Sequence, residues 1–152
     1  AAPSLIMDYM ADPDFYQAES NSAALCYIMS PHRPYSHTAT GEIRDRLYWY
    51  DITNPQYYLD QHIYTTSRLE EILSTILSKD QDCVIVLQSD HNFRSSSADG
   101  EPTLSGVDIP YSEQRRILNA VYFRGESIDI DGLSGPDTLR LVLTKLGATL
   151  DP

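Results

Sequence analysis

The hydrophobic pattern of the chain alternates between uninterrupted apolar runs and one long stretch of helical periodicity. Leu5, Ile6, Tyr9 and Met10 recur at helix-like offsets before Pro13 interrupts them, which predicts a short amino-terminal helix. Ala23 to Met29 is a continuous apolar run closed by Ser30-Pro31, the pattern of a strand buried on both faces. Residues 33–53 show no sustained period and read as an irregular connection. Asn54-Pro55 supplies a capping side chain followed by proline at the first helical position. Leu59, Ile63, Thr66, Leu69, Leu73, Ile76 and Leu77 then recur at three- and four-residue spacing, predicting a long amphipathic helix with that stripe turned inward. Cys83 to Gln88 reads as a second buried strand, rich in β-branched residues. Strand, helix and strand in that order predict a right-handed crossover and a parallel pair. Beyond a polar stretch from Asn92 to Glu113, read as a surface loop, Ile117 to Phe123 is a third strand candidate closed by Arg124-Gly125. Ser134-Gly135-Pro136-Asp137 then opens a final helix that ends near Lys145, with Gly147 just past it. The expected class is α/β: a parallel or mixed sheet with flanking helices.

Composition narrows the possible functions. At 152 residues the chain has the size of one domain, and 1–152 is read as a single domain. Its 11 Lys and Arg against 22 Asp and Glu leave a net charge of −11, which argues against a nucleic-acid partner, because such partners demand neutralised phosphates. The apolar runs fall far short of the roughly 20 residues that span a bilayer, so no membrane span is expected. Cys26 and Cys83, each inside an apolar run, read as small buried hydrophobes and define no redox compartment.

Two places carry candidate chemistry. Gln88-Ser89-Asp90-His91 lies where the second strand ends, and in open α/β sheets ligands gather outside the carboxyl ends of strands. A carboxylate and an imidazole together suit zinc or manganese better than calcium. Side chains adjacent on an extended strand diverge, so Asp90 and His91 can share an ion only if the chain turns there. The second place is Ser30-Pro31-His32-Arg33-Pro34-Tyr35, where prolines flanking His32 restrict the backbone and would aim its imidazole at an anion. His37, in a polar loop, and His62, expected on the solvated side of the long helix, are given no role. Neither are the eleven tyrosines, which are read as packing residues. The chain carries no Gly-rich phosphate cradle, nucleophile elbow, Cys-x-x-Cys pair or His-Glu-x-x-His helix.

The ordered series Ser30-Pro31-His32-x-Pro34-Tyr35, Tyr58-Leu59-Asp60-Gln61 and Val84 to His91 resembles the carboxyl-terminal half of bacterial sulfatase-like proteins of the alkaline phosphatase superfamily, relatives of the lipoteichoic acid synthases. The similarity continues through Ile117 to Phe123 and Asp137 to Leu141, and covers roughly residues 23–147. It implies a partial sulfatase-like fold, with Asp90 and His91 ligating a divalent metal, manganese or zinc, and His32 contacting the phosphate or sulfate of an ester substrate. It also implies a metal-dependent hydrolase or phosphotransferase on the extracytoplasmic face of a bacterial membrane, anchored there as the parent protein. The family's nucleophile comes from an earlier segment, and this chain has no Cys-x-Pro-x-Arg or Ser-x-Pro-x-Arg. The chain by itself is therefore expected to be soluble and inactive, with metal binding weak or absent. Asn92 stands where the family usually has glycine, which would reshape the turn after the ligand pair. Strands meant for the middle of a larger sheet would become edges, so self-association is also expected. The alternative is a non-catalytic binding or interaction module on the same α/β scaffold.

Overall fold

The computed structural model describes residues 3–16, 22–92 and 116–150. The polar stretch after Asn92 lies outside them. The chain is a small mixed α/β protein whose described residues fall into two compact units, one ending at Asp80 and the other beginning at Gln81.

In the first unit, helix α1 (Pro3–Ala11) and a 3-10 turn (Pro13–Tyr16) pack on the long helix α2 (Pro55–Lys79). Both helices stand where the periodicity predicts them. Asn54 caps α2 as expected, its side-chain oxygen accepting from the Gln56 backbone N–H at 3.0 Å. The buried face of α2, however, is not the predicted one. Leu59 and Ile63 are 47 % and 42 % exposed, whereas Gln61, Thr65 and Ile72 are buried. The inward stripe starts with two polar residues because its partners are polar: it packs against the irregular segment from Ser30 to Trp49, and the hydrogen bonds made there outrank apolar periodicity. Met7 is buried on α1, and Asp8 reaches across to pair with Arg68 of α2 at 2.7 Å. Arg44 is held between Asp60, at 2.7 Å, and the Tyr57 ring, 4.1 Å from its centroid.

The apolar run Ala23 to Met29 forms no strand. It runs as irregular, solvent-facing chain with Leu25 99 % exposed, and Cys26 is exposed with it. Seven consecutive apolar residues have no period, and hydrophobicity without a period does not say what covers a segment. The expected parallel pair is thereby overturned, since its first strand is not there.

In the second unit, β1 (Val84–Gln88), β2 (Asn119–Phe123) and β3 (Glu126–Ser127) form a sheet in the order β1-β2-β3, antiparallel throughout. Val84 lies opposite Phe123 and Gln88 opposite Asn119. The apolar residues of β1 are half-buried, not fully buried as expected, because among the described residues only β2 pairs with it. A two-residue loop, Arg124-Gly125, joins β2 to β3, with φ of 51° and 94°. Positive φ at both central residues matches the right-handed twist of the flanking strands, and glycine adopts it freely. Helix α3 (Gly135–Lys145) is capped by Ser134, whose hydroxyl accepts from the Asp137 backbone N–H at 3.3 Å and donates to its carboxylate at 2.5 Å. Among the described residues no helix is long and apolar enough to cross a membrane.

Gly41 tests the packing of the Ser30–Trp49 segment on α2. Its φ is +89°, and a Cβ there would stand 3.1 Å from the Tyr64 ring. Gly41→Ala is expected to destabilise the first unit by about 1–3 kcal/mol, from strained backbone and crowding together. Urea unfolding followed by the fluorescence of Trp49, the single tryptophan, measures this; an unchanged midpoint would show that the segment does not hold the unit together.

Candidate functional site

The second unit brings Asp90 and His91 together. β1 ends at Gln88, and the next residue extends the pairing by one step: the Ser89 backbone N–H donates to the Leu118 carbonyl at 2.9 Å, and the Leu118 N–H donates to the Ser89 hydroxyl, also at 2.9 Å. The chain then bends at Asp90. This is the turn that two neighbouring residues need if their side chains are to converge. Asp90 uses one carboxylate oxygen, Oδ1, to accept from the His91 backbone N–H at 2.9 Å. Its other oxygen, Oδ2, lies 3.9 Å from His91 Nε2.

The imidazole is also committed at one end and open at the other. His91 Nδ1 lies 2.7 Å from the Asn92 carbonyl oxygen, which can only accept, so Nδ1 carries a proton and, in the neutral ring, Nε2 presents its lone pair. A metal-ligating histidine characteristically donates its second ring N–H to a backbone carbonyl in this way. Bonds of about 2.1 Å place two ligands of a tetrahedral ion roughly 3.4 Å apart. The observed 3.9 Å is about half an ångström wider, and both side chains are exposed. The spacing of the two atoms is thus close to, but wider than, that of two ligands on one divalent cation. Among the described residues no group of three or more His, Cys, Asp or Glu is disposed to hold a metal.

A chain of side-chain hydrogen bonds ties the end of β1 to the rest of the unit. Gln88 Nε2 donates to Asn119 Oδ1 at 2.8 Å and to the Gly135 carbonyl at 3.0 Å. Asn119 Nδ2 donates to Thr138 Oγ1 at 2.8 Å, and this fully buried hydroxyl donates in turn to the Ser134 carbonyl at 3.0 Å. The end of β1, the start of β2 and the first turn of α3 are thus held as one piece.

His32 belongs to the first unit. It is exposed, between two cis X-Pro bonds, Ser30-Pro31 and Arg33-Pro34. Its Nδ1 donates to the Arg33 carbonyl at 2.8 Å, so Nε2 is the nitrogen turned to solvent. A protonated ring would offer Nε2–H to an anion.

His37, which the sequence reading sets aside as a loop residue, is buried and stacked on Tyr64, with centroids 4.3 Å apart and 11° between planes. Its backbone N–H donates to Gln61 Oε1 at 3.0 Å, and Gln61 Nε2 donates to the Ser30 hydroxyl at 3.2 Å. Ser30 Oγ in turn lies 2.5 Å from Thr65 Oγ1, which donates to the Gln61 carbonyl at 2.7 Å. The available signal is the pair Gln61 and Thr65, one turn apart on α2, but nothing in a hydrophobic pattern marks polar residues as inward-facing. His62 is exposed, as expected.

No protein-family model matches the chain, and no curated protein or solved structure does so either.

Burial pushes the His37 pKa below its ordinary value; a hydrogen bond to Gln61 and the charge of Asp8 act the other way without cancelling it. Unfolding restores the ordinary value, near 6.5, so between the two values the unfolded chain binds more protons. The His37 contribution to stability is therefore complete above about pH 6.5 and declines as pH falls through the window beneath it. Arg44 also lies against this residue, donating to the His37 carbonyl at 3.3 Å. Urea midpoints read from Trp49 fluorescence are expected to fall between pH 7.5 and 5.5 in the parent chain, and to fall less in His37→Phe. Equal pH slopes for the two chains would show that His37 is not the titrating group.

Proposed function

We propose that the chain forms part of a divalent-metal-dependent hydrolase or phosphotransferase of the sulfatase-like kind, acting on phosphate or sulfate esters. Asp90 and His91 are two ligands of the metal, and His32 is a contact for the anionic group. The observation that carries this reading is the Asp90–His91 pair: each side chain has one polar atom tied to local backbone and the other presented, 3.9 Å apart, at the carboxyl end of a strand. Held by Asp90 and His91, a zinc or manganese ion would supply charge neutralisation for a transferring phosphoryl or sulfuryl group and activation of a nucleophile. Asp90 would supply the anionic oxygen and His91 the Nε2 nitrogen, its Nδ1–H held by the Asn92 carbonyl, while the resemblance alone assigns His32 a hydrogen bond to a non-bridging or leaving oxygen. The resemblance to the sulfatase-like proteins and the parent's extracytoplasmic location belong to this reading.

Calorimetric titration with zinc and with manganese tests it. The parent chain is expected to bind one ion weakly, with the heat abolished in Asp90→Ala and in His91→Ala; the same heat in all three would remove the metal from the reading. Hydrolysis of aryl phosphate and aryl sulfate by these 152 residues is expected at background.

We also infer association with a second copy. Among the described residues, β1 has a partner on one edge only, and neither β1 nor the exposed run Ala23 to Met29 carries a charge that would block strand pairing. At a net charge of −11, copies repel one another. Apparent mass by light scattering is therefore expected to rise with protein concentration and further with salt, which screens that repulsion. A mass that stays monomeric at every concentration and salt would refute this.

A further inference from the structure

We infer that Gln88, Asn119 and Thr138 are positioning residues for the Asp90–His91 pair, an inference that deepens the metal-site reading above. Asp90 follows Gln88 by two residues, so the direction in which β1 ends sets where both ligands point. Two devices fix that direction. The reciprocal Ser89–Leu118 bonds extend the ladder to the residue before Asp90. The Gln88–Asn119–Thr138 relay then anchors the last ladder pair to α3.

Donor and acceptor roles along the relay leave little freedom. The Thr138 hydroxyl has one proton and gives it to the Ser134 carbonyl, so it meets Asn119 as an acceptor. Asn119 must therefore turn its Nδ2 toward Thr138, which leaves Oδ1 to face Gln88. Gln88 must then present Nε2, whose second proton reaches the Gly135 carbonyl. One buried hydroxyl thus dictates the orientation of two amides in succession, the second of them on the final residue of β1. Partners of this outer kind typically govern metal affinity by tenfold or more without touching the ion.

The test uses four variants of the whole chain: Thr138→Val, which keeps the side-chain shape and removes the acceptor; Thr138→Ser, which restores the hydroxyl; Asn119→Ala; and Gln88→Ala, whose exposed side chain makes loss of folding unexpected. Zinc affinity by competition with a chelating dye is expected to weaken about tenfold in Thr138→Val, Asn119→Ala and Gln88→Ala, and to recover in Thr138→Ser. The second readout needs no metal. The nitrogen NMR shifts of the His91 ring report whether Nδ1 keeps its proton on Asn92, and they are expected to move toward those of a free imidazole in the same three variants. Unchanged His91 shifts in Gln88→Ala and Thr138→Val overturn the positioning role. Shifts that move as expected in a parent chain that binds no zinc uphold it and overturn the metal reading alone.

Discussion

Buried polar groups must find partners, and in the first unit this requirement sets the arrangement. Gln61 is 1 % exposed. An amide at that depth costs several kcal/mol if left unpaired, more than the helix would gain by turning Leu59 or Ile63 inward instead. Gln61 is satisfied by the His37 backbone and the Ser30 hydroxyl, two points of the irregular segment that precedes α2. Once those bonds exist, the face of α2 is decided, the segment is laid across it, and His37 is carried onto the Tyr64 ring. Arg44 follows, with Asp60 as its counter-ion. Burial pushes the Asp60 carboxyl up, but hydrogen bonds from Gln56 and Arg44 and the guanidinium charge outweigh it and hold it below the usual range.

The second unit solves a different problem with similar means. Its sheet is small and antiparallel, and the polar relay across one end does what a larger apolar core does elsewhere: it makes the end of a strand stiff. As the proposed metal ligands, Asp90 and His91 would need stiffness more than burial, because a ligand pair on a loose terminus loses affinity to conformational entropy. Both side chains remain open to solvent while the backbone beneath them is pinned.

Much of the local structure was legible in the sequence. The Asn54-Pro55 start of α2, the Ser134 cap of α3 and the Arg124-Gly125 turn are short-range signals, and each acts within three residues of itself. The bend at Asp90 that lets two neighbouring side chains converge could be named as a requirement but not seen, since it depends on Leu118, nearly thirty residues away. The inward face of α2 was misread because Gln61 and Thr65 are polar, and their burial makes sense only beside Ser30 and His37. The parallel pair failed for a related reason: an apolar run shows that a segment resists water, not which strand will shelter it.

The two hairpin connections differ in how much chain they must close. β2 and β3 meet across two residues, whereas the β1–β2 ladder joins residues separated by 31 (Gln88 and Asn119) to 39 (Val84 and Phe123). Loop-closure entropy grows with the logarithm of that separation, so the short hairpin can form early and the ladder only after a longer search. The strand end that presents Asp90 and His91 therefore belongs to the later-forming half of the sheet, although within that ladder its own pair, Gln88 with Asn119, closes the shortest loop.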